Sequence, residues 1–492
     1  MQSQLAERIC LGIFAVWLLW LPLPFGSNED FARTPLIAVP LAVCAVAALV
    51  RLRRAGAIEP SRPWKIWSVG GLLFVLVILI QLVPLPPSLL SAVSPGSDVI
   101  WRSASRLASL IDQGPQGGSH PITINPDSTV RELFRFIALL ATFQAAALLV
   151  RNEPRRLVFA GVLSSAALFE MIYALREGTR QHYDIWGWKN TLVFNRISGT
   201  FVNPNHFANY VAITAAMALY LAAMAWHQSA PGAPLSHRVT RLVERHVVMF
   251  GAGILIAGGC LAAILVAQSR GALLAVGCGA VGVAAMAVGH RSKGSRLRAA
   301  PRVAAVALGG IAVGTLVVTA MIIFLGRDRT VRRFKPLESE EVTLVGRRTG
   351  IESALGVWLR FPIFGSGFGT FPEVVSMTQK NDVAKLYDHA HDDYAEIAAT
   401  TGTLGAVIAL VAIAGGYGAL VRDAFRRDGA EASWGRRAFQ VAALISITIA
   451  LVHSLVDFNF FIPANAATLA AIAGAGVPLR SSPYEDTMRT RR

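Results

Sequence analysis

The chain is short of charge. Only 15% of its 492 residues are Asp, Glu, Lys or Arg, where a soluble globular protein usually carries about 25%. Acidic side chains are the scarcer kind, 30 against 46 basic ones. Cysteine is scarcer still. Cys10, Cys44, Cys260 and Cys278 all fall inside apolar runs, which excludes a secreted disulfide framework, and none has the CxxC spacing of a zinc site. No Walker or Rossmann glycine signature is present, so no nucleotide-binding loop is expected. What the chain does have is apolar length: 54% hydrophobic residues and a mean hydropathy of +0.50. These features describe an integral membrane protein.

A helix crossing a hydrocarbon core of about 30 Å needs about 17–25 apolar residues. Twelve stretches qualify, at about 9–25, 35–50, 66–85, 132–150, 157–175, 206–226, 248–268, 271–289, 303–325, 397–421, 438–455 and 464–479. The expected fold is therefore an all-α polytopic membrane protein with about twelve transmembrane helices. The first span is not a cleaved signal peptide, because Pro22 and Pro24 end it, no small-residue cleavage site follows, and more spans come after. No repeat at a solenoid period is visible.

The net charge of +16 and pI of about 10.4 would suit a nucleic-acid ligand. The distribution points elsewhere. With the N-terminus inside, 26 of the 46 basic residues fall in the inside segments 1–8, 51–65, 151–156, 227–247, 290–302, 422–437 and 480–492. Arg51–Arg53–Arg54, Arg151–Arg155–Arg156, Arg291–Lys293–Arg296–Arg298 and Arg422–Arg426–Arg427 are the main clusters. This is the positive-inside pattern, and it places both termini in the cytoplasm. No nucleic-acid partner is expected. Three outside loops are long: about 86–131, 176–205 and 326–396. The last exceeds a mere connection and carries basic residues on the translocated side, beginning with Arg327, Arg329, Arg332, Arg333 and Lys335. A long loop can translocate regardless of charge; an anionic ligand outside the membrane would also account for them.

Four polar constellations sit at outer ends of these spans. Gly199–Tyr210 reads GTFVNPNHFANY. Asn-Pro-Asn is a turn signal and Asn205 can cap the following helix, but capping leaves Asn203, His206 and Asn209 unexplained. Gln268-Ser269-Arg270-Gly271 is a tight reversal between spans seven and eight. Arg270 there either snorkels to water or turns a fixed guanidinium towards an interior cavity, where its fork suits phosphate oxygens. Gly346-Arg347-Arg348-Thr349 precedes a short amphipathic helix with Ile351, Leu355, Val357, Trp358 and Leu359, ending before Pro362 and lying along the membrane surface. The Gly365/Gly367/Gly369 series after it follows no predicted strand, so it reads as a flexible turn more readily than as a phosphate loop.

The fourth constellation is Asp388-His389-Ala390-His391-Asp392-Asp393-Tyr394-Ala395-Glu396. It has metal-ligand character, yet no further His or Cys lies nearby at a ligand spacing, so no metal is expected. A His entering a helix, with carboxylates to fix its tautomer, also suits a general base, and a hydrogen-bonded structural His is the plain alternative. Glu170, inside span five, must pair or face a cavity. Asp457, at the end of span eleven, can orient or neutralise an outside arginine or simply cap.

Taken in order, GTFVNPNHFANY, QSRG, GRR, FPIFGSGFGTF, HAHDDYAEIAATTGTLG and VDFNFFIPAN make the chain resemble the O-antigen ligase and polymerase superfamily of bacterial envelope glycosyltransferases, from about Gly199 to Ala467. The resemblance implies an N-terminal helical region over 1–205, a ligase-like membrane core over 206–479 with outer loop 326–396, and a cytoplasmic tail over 480–492. It implies an inner-membrane, metal-independent, inverting glycosyltransferase. Such an enzyme moves a glycan from undecaprenyl pyrophosphate to a hydroxyl on a lipid A-core, a growing polysaccharide or a protein. No cofactor is implied.

By motif the resemblance assigns catalysis to His391, Arg270 and one of the adjacent arginines, Arg348 or Arg347, the other being placed beside it for binding. His391 is preferred to His389 because it directly precedes Asp392, where the family often has Asn. The remaining substrate contacts implied are His389, Asn203, Asn205 and His206, together with Asp392, Tyr394 and Asp457. Asp392 in place of Asn would raise the pKa of the His391 imidazole. A small-anion transporter of the bicarbonate type and a non-catalytic envelope scaffold are the readings from other classes. A transporter would place its ionisable groups near the bilayer midplane on broken helices.

Overall fold

A computed structural model describes residues 2–53, 58–110, 118–180, 184–189, 196–229, 232–291, 338–379, 387–426, 434–477 and 479–481. The expected span at 303–325, the Arg327–Lys335 cluster, Arg54, Lys293, Arg296, Arg298, Arg427 and the tail beyond 481 lie outside the described residues.

The other eleven expected spans are helices. They are α1 (Gln2–Trp20), α2 (Asp30–Leu52), α3 (Arg62–Leu82), α6 (Pro126–Leu149), α7 (Glu153–Arg180), α8 (Pro204–Gln228), α10 (Val247–Val266), α11 (Arg270–Arg291), α14 (Asp393–Phe425), α15 (Trp434–His453) and α16 (Pro463–Gly476). Between them run the shorter α4 (Pro87–Val93), α5 (Pro95–Leu110), α9 (Leu235–Arg241) and α13 (Phe371–Val374), and the longer α12 (Glu338–Arg360). Nine helices among the described residues are long and apolar enough to cross a membrane. The chain is a multi-pass all-α membrane protein. One expected span is shorter than read from the sequence, while α11 covers the whole of its expected span. The 14 residues of α16 rise about 21 Å at 1.5 Å each, and this helix is buried on nearly every side within the bundle.

Much of the sequence dictates these boundaries. Pro sits at the first turn of α3, α6, α8 and α16, where its missing N–H costs nothing. Asn125, Asn203 and Asp392 cap α6, α8 and α14 with side-chain oxygens. α8 lies at the centre and is buried along most of its length. Its Phe207, Tyr210, Val211 and Met217 join Phe14, Leu163, Cys260, Phe439 and Ile472 in one apolar core drawn from both halves of the chain.

The two ends of the bundle differ. At one end Glu7 pairs with Arg51 (3.0 Å) and Arg155 (2.8 Å), and the strand Ile58–Pro60 pairs antiparallel with Leu479–Ser481. These contacts join segments that the charge pattern assigns to a single side. At the other end lie the hairpin Asp184–Ile185/Trp188–Lys189, the 196–203 loop, and a small second core. Ala354, Val357, Phe361, Phe371, Val374, Ala390 and Ala399 form that core, with Ile100 and Ile124 packed on it. α12 ends at Arg360, before Pro362, as its sequence predicts. Val357 turns into this core, whereas Leu355 and Leu359 stay exposed.

The glycine series after α12 is a packed loop, not a flexible turn or a phosphate cradle. The N–H groups of Gly365, Ser366, Gly367 and Phe368 donate to Phe361 O, Ala399 O, Thr400 O and Gln81 Oε1, leaving none of the four for an anion. Gly365 and Gly367 have φ of 75° and 117°. A Cβ at either would collide, with the Thr400 backbone or the Thr123 side chain. Gln81 Nε2 closes the knot by donating to Phe364 O and Thr400 O.

Candidate active site

Asp457 lies in the turn after α15, and its side chain is 0% exposed. Its Oδ1 is 3.5 Å from His206 Nε2 and 3.6 Å from His391 Nδ1, and its Oδ2 is 3.9 Å from Arg347 NH2. One buried carboxylate thus gathers groups from three other chain segments. The distances exceed those of tight hydrogen bonds. Correspondingly, His206 Nε2, His391 Nδ1 and Asp457 Oδ2 are buried without a hydrogen-bond partner among the described residues. Burial would raise the Asp457 pKa, but its contacts with His206 and His391, and the charge of His206 and His453, outweigh burial and hold it well below the usual carboxylate range. It is an anion at neutral pH.

Phe458 provides the floor. Three imidazoles stand against its ring: His389 stacked at 4.2 Å, His206 edge-on at 4.6 Å and His391 edge-on at 4.9 Å between centroids. His391 is held with φ at +55°, a left-handed conformation that a non-glycine residue rarely adopts. Such strain persists where surrounding structure enforces it, and it concentrates at functional sites.

His389 is differently placed. Its Nδ1 is 2.8 Å from Glu396 Oε1, and Glu396 Oε2 accepts the Ala390 N–H at 2.9 Å. Burial would lower the His389 pKa. The charge and hydrogen bond of Glu396 outweigh that, with Asp388 and Glu132 behind them, and raise it.

Buried acids on α7 shape the entry to α8. Glu170 accepts the Thr200 N–H and hydroxyl (2.9 and 2.7 Å), and Glu177 accepts the N–H groups of Ser198 and Gly199 (3.1 and 2.9 Å). Glu170 therefore pairs with a loop, as its place inside a span requires. Gly199 has φ of +59°, and a Cβ there would strike Glu170 and Phe207. The cap of α8 is Asn203, whose Oδ1 accepts the Asn205 N–H; Asn205, expected as the cap, turns elsewhere. Its Oδ1 accepts Arg196 NH2 at 3.0 Å, and Arg196 Nε and NH2 also donate to Ala267 O at 2.9 and 2.7 Å. Arg196 thus ties the start of α8 to the end of α10. Burial and the like charge of Arg347 push its pKa down, with Asp457 opposing, so Arg196 shares the electrostatic field of the cluster. The sequence reading missed it, although it stands three residues before Gly199.

The remaining expected residues divide. Arg347 faces Asp457 and its side chain is 29% exposed, whereas Arg348 is 81% exposed and pairs with Glu352 at 2.7 Å, one helical turn on. Adjacent helical residues point about 100° apart, so only one of the two can face the cluster, and it is Arg347. Arg270 opens α11 with an exposed side chain after a turn in which Gln268 has φ of +55°. The next residue, Gly271, packs so closely on His453 that a Cβ would come within 3.0 Å of the ring. His453 Nδ1 in turn is 3.2 Å from Asn209 Oδ1.

Asp392 caps α14 by accepting the Ala395 N–H at 2.9 Å, and burial raises its pKa. The carboxylate beside His391 is therefore Asp457 and not Asp392. The Tyr394 hydroxyl donates to Leu451 O at 2.8 Å, which clasps α14 to α15. No group of three or more His, Cys, Asp or Glu suited to a metal ion occurs among the described residues.

Residues 253–410 match the family model described as O-antigen ligase. This segment, about a third of the chain, is similar to an O-antigen ligase domain. It runs from within α10 to within α14 and so contains Arg270, Arg347, Arg348, His389 and His391, while Arg196, His206 and Asp457 come from outside it. No curated protein matches the chain. At the level of class, the match supports a membrane glycosyltransferase of O-antigen ligase or polymerase type.

Proposed function

We propose that the chain transfers an oligo- or polysaccharide from undecaprenyl pyrophosphate to an acceptor hydroxyl at the outer face of a bacterial inner membrane. The observation that carries this reading is the buried Asp457 carboxylate with His391 and Arg347 on its two oxygens. In the tautomer with Nδ1–H directed at Asp457, His391 keeps its Nε2 lone pair for a substrate proton. The acceptor oxygen attacks the anomeric carbon, the bond from that carbon to the pyrophosphate oxygen breaks, and the hydroxyl proton passes to His391 Nε2. Attack opposite the leaving group inverts the anomeric centre.

Negative charge builds on the departing pyrophosphate, so guanidiniums stabilise the transition state more than the bound donor. Arg347 and Arg270 take that role. Contacts that are long without substrate commonly tighten when it binds, which fits the unpartnered imidazole nitrogens. Glu396 engages His389 Nδ1 and raises its pKa, and His389 serves to hold Phe458. The ionisable groups of this site lie at one end of the bundle, which favours a surface transferase over a carrier with a midplane site. The acceptor is a glycan or a lipid A-core.

The test uses purified protein, a lipid-pyrophosphate oligosaccharide and separately supplied acceptors, with glycan transfer followed by mass. Wild-type protein should transfer and His391→Ala should not, although it remains folded and inserted. Chelator should leave the rate unchanged. Transfer that survives His391→Ala would remove this base; inhibition by chelator that added metal reverses would remove the metal-free mechanism.

A further inference from the structure

The end of the bundle opposite the active site carries a cleft of about 520 Å³ between the start of α3 and the end of α14. Arg62, Arg422 and Arg426 line it together with Ser61, Glu59 and Asp423. Among the described residues none of the three arginines has an ion-pair partner within 4.0 Å. Asp423 is engaged by Gln440 Nε2 at 2.8 Å. The arginines of α14 suit the negative end of their helix, but Arg62 does not: it stands at the positive end of α3, whose first turn has no acidic residue. The cap position adds to this. Ser61 has no side-chain capping bond, and its Oγ is buried without a partner among the described residues. In the first turn of α3 Pro63 has no N–H and the Lys65 N–H donates to Ser61 O, which leaves the N–H groups of Arg62 and Trp64 without an intrahelical acceptor. Three guanidiniums, an orphan hydroxyl and the start of α3 therefore converge on one cavity whose own carboxylates, Glu59 and Asp423, are fewer than its guanidiniums.

We propose that this cleft binds the phosphate of an anionic phospholipid headgroup from the leaflet around this end of the helices. A tetrahedral phosphate accepts from guanidinium forks, a hydroxyl and helix N–H groups at once. The lipid source is favoured because both walls are membrane-spanning helices. They also expose Val69 and Leu72 on α3, and Val411 on α14, further along, where acyl chains can lie. Basic pockets between transmembrane helices hold anionic headgroups in this way.

The experiment uses the full chain in mild detergent. Retention of phosphatidylglycerol, phosphatidylethanolamine and inorganic phosphate is compared by native mass spectrometry, alongside the thermal unfolding midpoint. Phosphatidylglycerol should be retained and raise the midpoint, and phosphatidylethanolamine should do neither. Each arginine near the surface contributes about 1 kcal/mol, so each one removed should weaken retention about fivefold. Arg62→Gln/Arg422→Gln should then lose about 25-fold. Arg426→Gln alone, beyond the last helical turn and without consequence for folding, should lose about fivefold. Equal retention by wild type and both variants, or equal retention of phosphatidylethanolamine, would overturn the proposal. Protection by inorganic phosphate alone, lost in the variants and undiminished by lipid, would replace the lipid with free phosphate. Glycan transfer is not a readout, so failure of the proposed activity would leave this result standing.

Discussion

His391 Nδ1 lies 3.6 Å from Asp457 Oδ1, with the His391 backbone in the left-handed region and the carboxylate wholly buried. One partner comes from the segment between α13 and α14 and the other from the turn after α15, so their approach depends on the folded bundle. Asp457→Asn keeps the shape and removes the charge that orients the imidazole. Glycan transfer should fall by about 10²–10⁴-fold, the usual worth of a positioned general base, while the variant elutes and unfolds like a folded protein. Initial rates on a lipid-pyrophosphate donor measure this. A loss below about tenfold would mean that Asp457 does not serve the base.

Arg347 and Arg348 should separate cleanly. Arg347→Ala removes a guanidinium facing the cluster and should cost about 10²–10³-fold in rate, as loss of one preorganised donor typically does. Arg348→Ala breaks only an exposed helical pair with Glu352, worth about 0.3–0.5 kcal/mol to stability, and should transfer glycan at close to the normal rate. Parallel rates on the two variants check the assignment, and the reverse order would show that α12 is rotated when donor binds.

The sequence carries the general place of this site plainly and its internal geometry poorly. Apolar length and loop charge locate eleven helices, and turn signals locate the HAHDD, QSRG and VDFNFF segments. Which of two adjacent arginines faces inward depends on the rotation of α12, which the run GRRT does not reveal. Asp392 looks like the natural partner of His391 because it is its neighbour, but a residue at a helix start is claimed by the backbone N–H groups of the first turn. Asp457, 66 positions away in sequence, takes the partnership instead. The glycine run looks like a ligand loop, yet its glycines answer to close approach of Thr123 and Thr400. Arg196 was invisible because no turn or motif marks it.

Arg196 is a positioning residue, and its loss should show as a rate defect with little change in fold. Its guanidinium spans Asn205 Oδ1 and Ala267 O, a fork that lysine cannot reproduce. Arg196→Lys should lower kcat more than it raises KM, because both tied segments lead into residues at the site. Asn205→Ala should remove part of the same effect. The double variant should be less impaired than the product of the two, by a coupling of about 0.5–3 kcal/mol. Strict additivity, or a purely thermal defect, would reduce Arg196 to a fold contact.

The pairing of His389 with Glu396 makes stability depend on pH in a defined direction. The His389 pKa is raised in the folded state, whereas an unfolded histidine titrates near about 6.5. Folding then favours proton uptake, so the pair contributes fully below about 6.5 and its contribution disappears as pH rises through the higher folded pKa. Wild-type protein should lose stability across that alkaline window relative to His389→Gln, whose profile should be flatter. Glu396→Gln should also flatten it, since the charge that holds the proton is gone. Unfolding midpoints in detergent between about pH 5.5 and 9, a range bracketing the free imidazole value, measure the slope. A wild-type profile as flat as the His389→Gln profile would show that Glu396 does not hold a proton on His389, and would restore His389 as a candidate base.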